Sequence, residues 1–186
     1  MKFLLIILTI LSSFLTNLEN KILQSDFVAT VQEDANAPKS DYPGSITMKG
    51  KCFILSMDGI DAAYDGKTMY MFSDDTDELT LTEPTDEELM ESNPLLFAKA
   101  MADQCAVTEK AENGETVITL VPKDKSLGID RFVLRVRTAD LMPLQMEVKE
   151  GKAVSTLKLT NPKFISKQPK WTIEPTETTF VNDLRF

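Results

Sequence analysis

The chain contains no histidine, so carboxylates and two thiols are its main candidates for acid–base chemistry and metal binding. That absence excludes Ser-His-Asp and Cys-His catalysis and every metal site that uses imidazole. Paired carboxylates occur at Asp74/Asp75 and Glu87/Glu88, in polar segments with nothing nearby to shift a pKa. Such pairs are typical of a solvated surface. We therefore expect no enzymatic activity, no cofactor and no bound metal.

The two cysteines are Cys52 and Cys105, which are too few for a four-thiolate zinc site. An oxidising compartment would allow them to form a disulfide. The alternative is a pair of buried, inert thiols, because free cysteine packs as a small apolar residue. The sequence alone leaves both alternatives open.

The size and charge of the chain limit its class. It has 186 residues, of which 42% are hydrophobic, and this is enough for the core of one domain. The net charge of -9 argues against a nucleic-acid partner, because phosphate binding requires a basic face.

Met1 and Lys2 precede the apolar run Phe3–Leu15, which is shorter than a typical membrane span. A basic start and an apolar run of this length are typical of a secretory signal peptide. We predict a signal peptide over residues 1–16 and a single domain over residues 17–186. No Ala-x-Ala site fixes the boundary, and a retained anchor is the alternative. The apolar spacing at Leu18–Leu23 predicts a short helix after the cut.

An apolar meander occupies Gly44–Phe72. Asp-Gly pairs at residues 58–59 and 65–66 separate its short apolar runs, as in β-hairpins. The parity of the apolar residues changes at Gly50, where a β-bulge would return both sets to one face.

Later segments alternate apolar and polar residues in the same way, at Arg131–Thr138 and Pro143–Lys149. One face of such a strand is buried and the other is wet, so we predict a mainly β fold of the α+β class. Soft, methionine-rich apolar faces suit an adaptable cavity. The residues predicted to share one cavity wall are Ile46, Met48, Phe53, Leu55, Met57, Leu134 and Met146.

A helical segment interrupts the strands. Thr85 and Glu88 have the spacing of a capping box, and Asn93-Pro94 begins a second helical stretch. Its apolar side would carry Leu96, Phe97 and Met101. We predict that this side forms a lid over the cavity; ordinary packing onto a sheet is the alternative.

Seven short motifs follow one another between Ser25 and Phe186. They are SDFVATV, GSITMKGKCF, YDGKTMYMF, NPLLF, LVPK, LMPLQM and FVNDLRF. In this order the sequence resembles the LolA-like periplasmic outer-membrane lipoprotein carriers, and its ending is similar to that of Bacteroidetes-type members. The resemblance implies an open, incomplete antiparallel β-barrel with short helices that form a lid over an apolar cavity.

The resemblance also implies a function. The chain would be a non-enzymatic periplasmic carrier that shields the acyl chains of lipoproteins, or of related lipids, for transfer toward the outer membrane. The implied partners are an inner-membrane donor complex and an outer-membrane acceptor, and we expect a monomer. A regulatory module of the same fold that senses lipid or lipoprotein is the alternative, which a retained membrane tether would favour.

One position departs from the family. Lys49-Gly50 stands where the family has Arg-Pro, and the resemblance assigns to Lys49 the place of the arginine that holds the lid closed. An ammonium group cannot form the bidentate fork of a guanidinium group. Whether Lys49 performs the locking role is left open by the sequence.

Overall fold

The described residues form an open β-sheet with the long helix Lys2–Asn20 packed on it. The computed structural model describes residues 2–86, 88–89, 99, 102, 104–125 and 128–185. Its elements in chain order are α1 (Lys2–Asn20), β1 (Ile22–Gln32), β2 (Ser40–Lys49), β3 (Cys52–Met57), β4 (Ile60–Tyr64), β5 (Met69–Ser73), β6 (Glu78–Thr82), β7 (Cys105–Glu112), β8 (Glu115–Pro122), β9 (Arg131–Arg137), β10 (Pro143–Glu150), β11 (Ala153–Ile165) and β12 (Phe180–Asp183).

The twelve strands form a single sheet in the order β12-β6-β5-β4-β3-β2-β1-β11-β10-β9-β8-β7. Neighbouring strands are antiparallel, apart from β12, which pairs with β6 in parallel. The two edge strands, β12 and β7, do not pair with each other among the described residues. The predicted fold class, an open and incomplete β-barrel, is confirmed.

The β2–β3 connection differs from the sequence prediction. Lys49 lies opposite Cys52, so Gly50 and Lys51 form a two-residue hairpin turn. Gly50 has φ 56°, a conformation that glycine adopts without steric cost. The predicted β-bulge at Gly50 is therefore wrong. A hairpin achieves the same result, because residues directly opposite each other in the two strands project to the same face.

The Asp-Gly turns form as predicted. Asp58 and Gly59 both have positive φ, at 53° and 76°, which is the geometry of a tight hairpin turn between β3 and β4. At the second turn, the Asp65 carboxylate accepts hydrogen bonds from the backbone N–H groups of Lys67 and Thr68, each at 2.8 Å. These bonds stabilise the turn that leads into β5.

One other local prediction needs correction, and two further features complete the description of the strands. The predicted helix at Leu18–Leu23 ends at Asn20, because Ile22 and Leu23 already belong to β1. Strand β2 begins at Ser40, so the residues just before Pro43 are its first residues. Residues 166–179 link β11 to β12 without forming a strand.

The main hydrophobic cluster lies on one face of the sheet, here named the inner face and defined by Met48, Phe53, Leu134 and Met146. Helix α1 packs on this face and contacts β2 and β7. The inner face therefore has strands from both halves of the sheet as its floor and α1 as its cover.

Candidate functional site

The inner face brings together the seven residues that the sequence assigned to a cavity wall. They come from β2, β3, β9 and β10, and their cross-strand pairs are Ile46–Leu55, Met48–Phe53, Met57–Gly44 and Leu134–Met146. Five of them are buried, and the other two, Leu55 and Met57, are partly buried against the same cluster. The result is one continuous apolar surface.

Helix α1 occupies this surface in the full chain. Leu11, Phe14 and Leu18 belong to the same buried cluster as the wall residues, and Phe14 is 0% exposed. Their spacing of three and four residues places them on one side of the helix. Ser12 and Ser13 are exposed on the other side. The run predicted to be a signal peptide therefore contributes to the core here, and its removal stays a prediction.

Polar contacts hold this cover at the β2–β3 hairpin. The backbone N–H of Gly50 donates to the carbonyl of Leu18 at 2.8 Å. Lys99 forms an ion pair with Glu19 at the end of α1. Because these contacts reach α1 only at Leu18 and Glu19, they anchor its last turn.

Lys51, which follows Gly50 in the hairpin turn, forms an ion pair with Asp86. The Lys51 Nζ atom lies 2.7 Å from Asp86 Oδ1. This hydrogen bond raises the pKa of Lys51 and lowers the pKa of Asp86. Lys49, which holds the family's lid-locking position, makes no ion pair among the residues that the structure describes. It lines a cleft of about 490 Å³ together with Asn20, Lys21 and Phe164.

The predicted lid residues Leu96, Phe97 and Met101 lie outside the described residues. The start of their segment is visible: the Thr85 backbone N–H donates to Glu88 at 2.7 Å, and the Glu88 backbone N–H donates to Thr85 Oγ1 at 3.3 Å. The predicted capping box is thus confirmed. Leu89 is buried in the inner-face cluster, and Ala102 packs against that cluster. Both described flanks of the segment therefore reach the inner face.

The inner face carries a buried carboxyl group that the sequence interpretation missed. Glu109 lies in β7 opposite Ile118, which is fully buried in the core cluster. Its Oε1 atom is buried and has no hydrogen-bond partner among the described residues, and burial raises the pKa of this carboxyl group. The alternation of Cys105, Val107 and Glu109 was the available signal, but the polar content of β7 concealed the strand.

The two cysteines do not form the disulfide considered from the sequence, since both are free. Cys52 alternates with Phe53 in β3 and so projects away from the inner face, whereas Cys105 belongs to the inner-face cluster. The sheet separates the two thiols. Burial raises the pKa of each of them, with Asp65 adding to the effect at Cys52.

In the part of the chain that the structure describes, no group of three or more acidic or thiol side chains could hold a metal ion. None of the described helices has the length and apolarity needed to span a membrane.

Sequence comparison decides the family. The family model "Outer membrane lipoprotein carrier protein LolA" matches residues 60–170, which is more than half of the chain. The chain belongs to the LolA family. The matched LolA region runs from β4 through β11 and includes Leu134 and Met146, whereas α1, β2 and β3 lie before it. A search of curated protein sequences finds no match.

Solved structures with a similar fold are known. A conserved protein of Thermus thermophilus aligns with a TM-score of 0.64 at 14% identity, over 95% of this chain and 98% of that one. A LolA superfamily protein of Nitrosomonas europaea aligns with a TM-score of 0.45 at 12% identity, over 90% of this chain and 97% of that one. At such identities the Thermus match establishes the fold alone.

Proposed function

We propose that this LolA-family chain is a non-enzymatic carrier that shields the acyl chains of lipoproteins on its inner face. The observation that carries the proposal is the continuous apolar surface formed by strands from both halves of an open sheet. Its compartment would be the periplasm, and transfer would run toward the outer membrane. The description of the matched family as a lipoprotein carrier supports this direction of transfer.

The chemistry of the surface suits an acyl chain. Its described residues are mostly aliphatic, aromatic or thioether side chains, and methionine adapts to irregular apolar partners. Each methylene removed from water contributes roughly 0.8 kcal/mol, so complete burial of a long chain would make release very slow. A sheet that remains open can bury only part of the chain, which favours handover to another protein.

The inner face has an exposed apolar end where a lipid could first make contact. Ala62 lies opposite both Leu55 and Met71, so Met71 faces inward, yet it is 48% exposed. Ile60 lies beside it and is also exposed. Both residues line a cleft of about 270 Å³. We propose that acyl chains approach the wall from this end.

The partners follow from the same proposal. They are the acyl chains of lipoproteins or related lipids, a donor complex at the inner membrane and an acceptor at the outer membrane. The carrier would act as a monomer. A net charge of -9 keeps the surface hydrophilic and disfavours nucleic acid.

The proposal is tested on protein purified from its native host. Mass spectrometry of a lipid extract should detect co-purified acylated molecules. Leu55→Trp should reduce the space available on the inner face and weaken binding of a fluorescent fatty acid. Ser56→Trp, on the opposite face of the same strand, should leave binding unchanged. Equal binding by the two folded variants, together with a lipid-free extract, would refute the carrier function.

A further inference from the structure

Helix α1 and an acyl chain would need the same space, because both pack on the inner face. We propose that the apolar N-terminal helix is an internal occupant of the acyl-chain site, so that the full chain is closed to lipid until this segment is cleaved or displaced. This inference rests on the proposed function. It adds a latent state and names the residues that produce it.

The occupancy is visible in burial. Phe14 has no exposed surface, and Leu11 is buried in the same cluster as Phe53 and Leu134. The side chains of Phe14 and Leu11 contain about eleven carbon atoms together, a quantity of apolar matter on the order of a medium-length acyl segment. A close-packed interior has no room for both occupants at once.

The position of the polar contacts divides α1 into two parts. Gly50 and Lys99 contact the helix at Leu18 and Glu19, after the predicted cleavage point at Thr16. Cleavage there would remove Leu11 and Phe14 and leave both polar contacts in place. The middle of the inner face would open while its end at the β2–β3 hairpin stayed covered. Displacement by lipid would have the same effect without a cut.

The exposed side of the helix provides a matched pair of substitutions. Phe14→Asp puts a charge into the apolar cluster, which strongly disfavours the docked position of α1. Ser13→Asp puts the same charge on the exposed side of the same helix turn. Both variants are made in the full chain, produced without export so that residues 1–16 are retained. The probe is dodecanoic acid carrying a fluorophore at its methyl end.

We expect Phe14→Asp to bind the probe at least about tenfold more tightly than the unaltered full chain, because a closed majority state lowers apparent affinity. Ser13→Asp should bind like the unaltered chain. Hydrogen exchange read by mass spectrometry gives a second measurement: saturating probe should increase exchange in residues 11–16 of the unaltered chain, since α1 must leave the inner face.

If Phe14→Asp does not fold, Phe14→Ala replaces it. That variant keeps the helix apolar and frees only the volume of the ring, so a gain of about threefold is expected. The inference is overturned if the unaltered chain binds the probe as tightly as the folded variant, with residues 11–16 still protected; the carrier proposal would then survive. If folded variants with a displaced α1 bind no probe, the proposed function itself fails.

Discussion

Replacing Leu134 by alanine measures how tightly the inner face is packed beneath α1. Leu134 is 0% exposed and lies between Ile118 on β8 and Met146 on β10. The substitution removes buried apolar atoms and leaves a cavity, because fully buried neighbours cannot collapse into the gap. Leucine-to-alanine changes at such sites cost about 2–5 kcal/mol, and the complete burial of Leu134 argues for about 3 kcal/mol or more. For a chain of this length, that corresponds to a fall in Tm of about 6–12 °C.

The assay is urea unfolding of the full chain, followed by tryptophan fluorescence and circular dichroism. The midpoint should fall while the slope m stays the same, since the surface exposed on unfolding changes little. Val121→Ala is the control, because Val121 is an aliphatic residue on neighbouring β8 that is 45% exposed, and it should change stability by about 0.5 kcal/mol or less.

The same substitution also reports on α1. In a Phe14→Asp background, Leu134 would face a partly empty surface and have fewer contacts to lose. Leu134→Ala should then cost distinctly less, so the two changes should not be additive. A loss below about 1 kcal/mol in the unaltered background would refute the reasoning, because it would mean that the inner face is not closely packed even with α1 in place.

Three further predictions concern single sites. Burial raises the pKa of Glu109, so the folded state binds the carboxyl proton more tightly than the unfolded state does. The free energy of unfolding should therefore fall as the pH rises from about 4.3, the unfolded value, through the folded pKa. In urea melts at different pH values, Glu109→Gln should remove this fall. Gly44→Ala should cost on the order of 1–3 kcal/mol in the same assay, because its Cβ atom would lie 2.5 Å from the Phe27 ring. Thiol titration should find both Cys52 and Cys105 free, with Cys105 reacting only after denaturation.

Each of these three predictions has its own control variant or an outcome that would contradict it. Glu177→Gln, on an exposed residue, should leave the pH profile unchanged, and a Glu109→Gln profile parallel to that of the unaltered chain would contradict the buried carboxyl group. Ser45→Ala, at the exposed neighbour of Gly44, should be neutral. Recovery of only one thiol, or of none, under denaturing but non-reducing conditions would contradict the free cysteines.

Local rules were sufficient where the chain itself supplies the geometry. The Asp58-Gly59 turn, the alternation in Arg131–Arg137 and the capping box of Thr85 and Glu88 depend on residues close in sequence, and all are present. The inner-face position of the wall residues followed from parity, although the change of parity at Gly50 proved to be a hairpin turn. A β-bulge and a hairpin turn produce the same change of parity, so the sequence could not distinguish between the two structures.

Other features depended on partners that the sequence does not name. An apolar run such as Phe3–Leu15 has the same composition whether it is a leader or a packed helix, and only the inner face decides that Phe14 is buried. Strand β7 carries four charged or hydroxyl residues in its eight and forms because β8 pairs with it. Glu109 was missed for that reason.

The pairing of β1 with β11 has a consequence for how the chain folds. Ser25 Oγ donates to the carbonyl of Thr160, 135 residues further along, at a register shift in the antiparallel pairing of β1 with β11 that runs from Ile22 to Gln32. Non-local pairings of this kind slow folding, because a large loop must close before any contact compensates its entropy. One side of β1 stays unpaired until β11, the eleventh of the twelve described strands, has been made. The export proposed above requires an unfolded chain, and this strand order would delay folding until most of the chain is available.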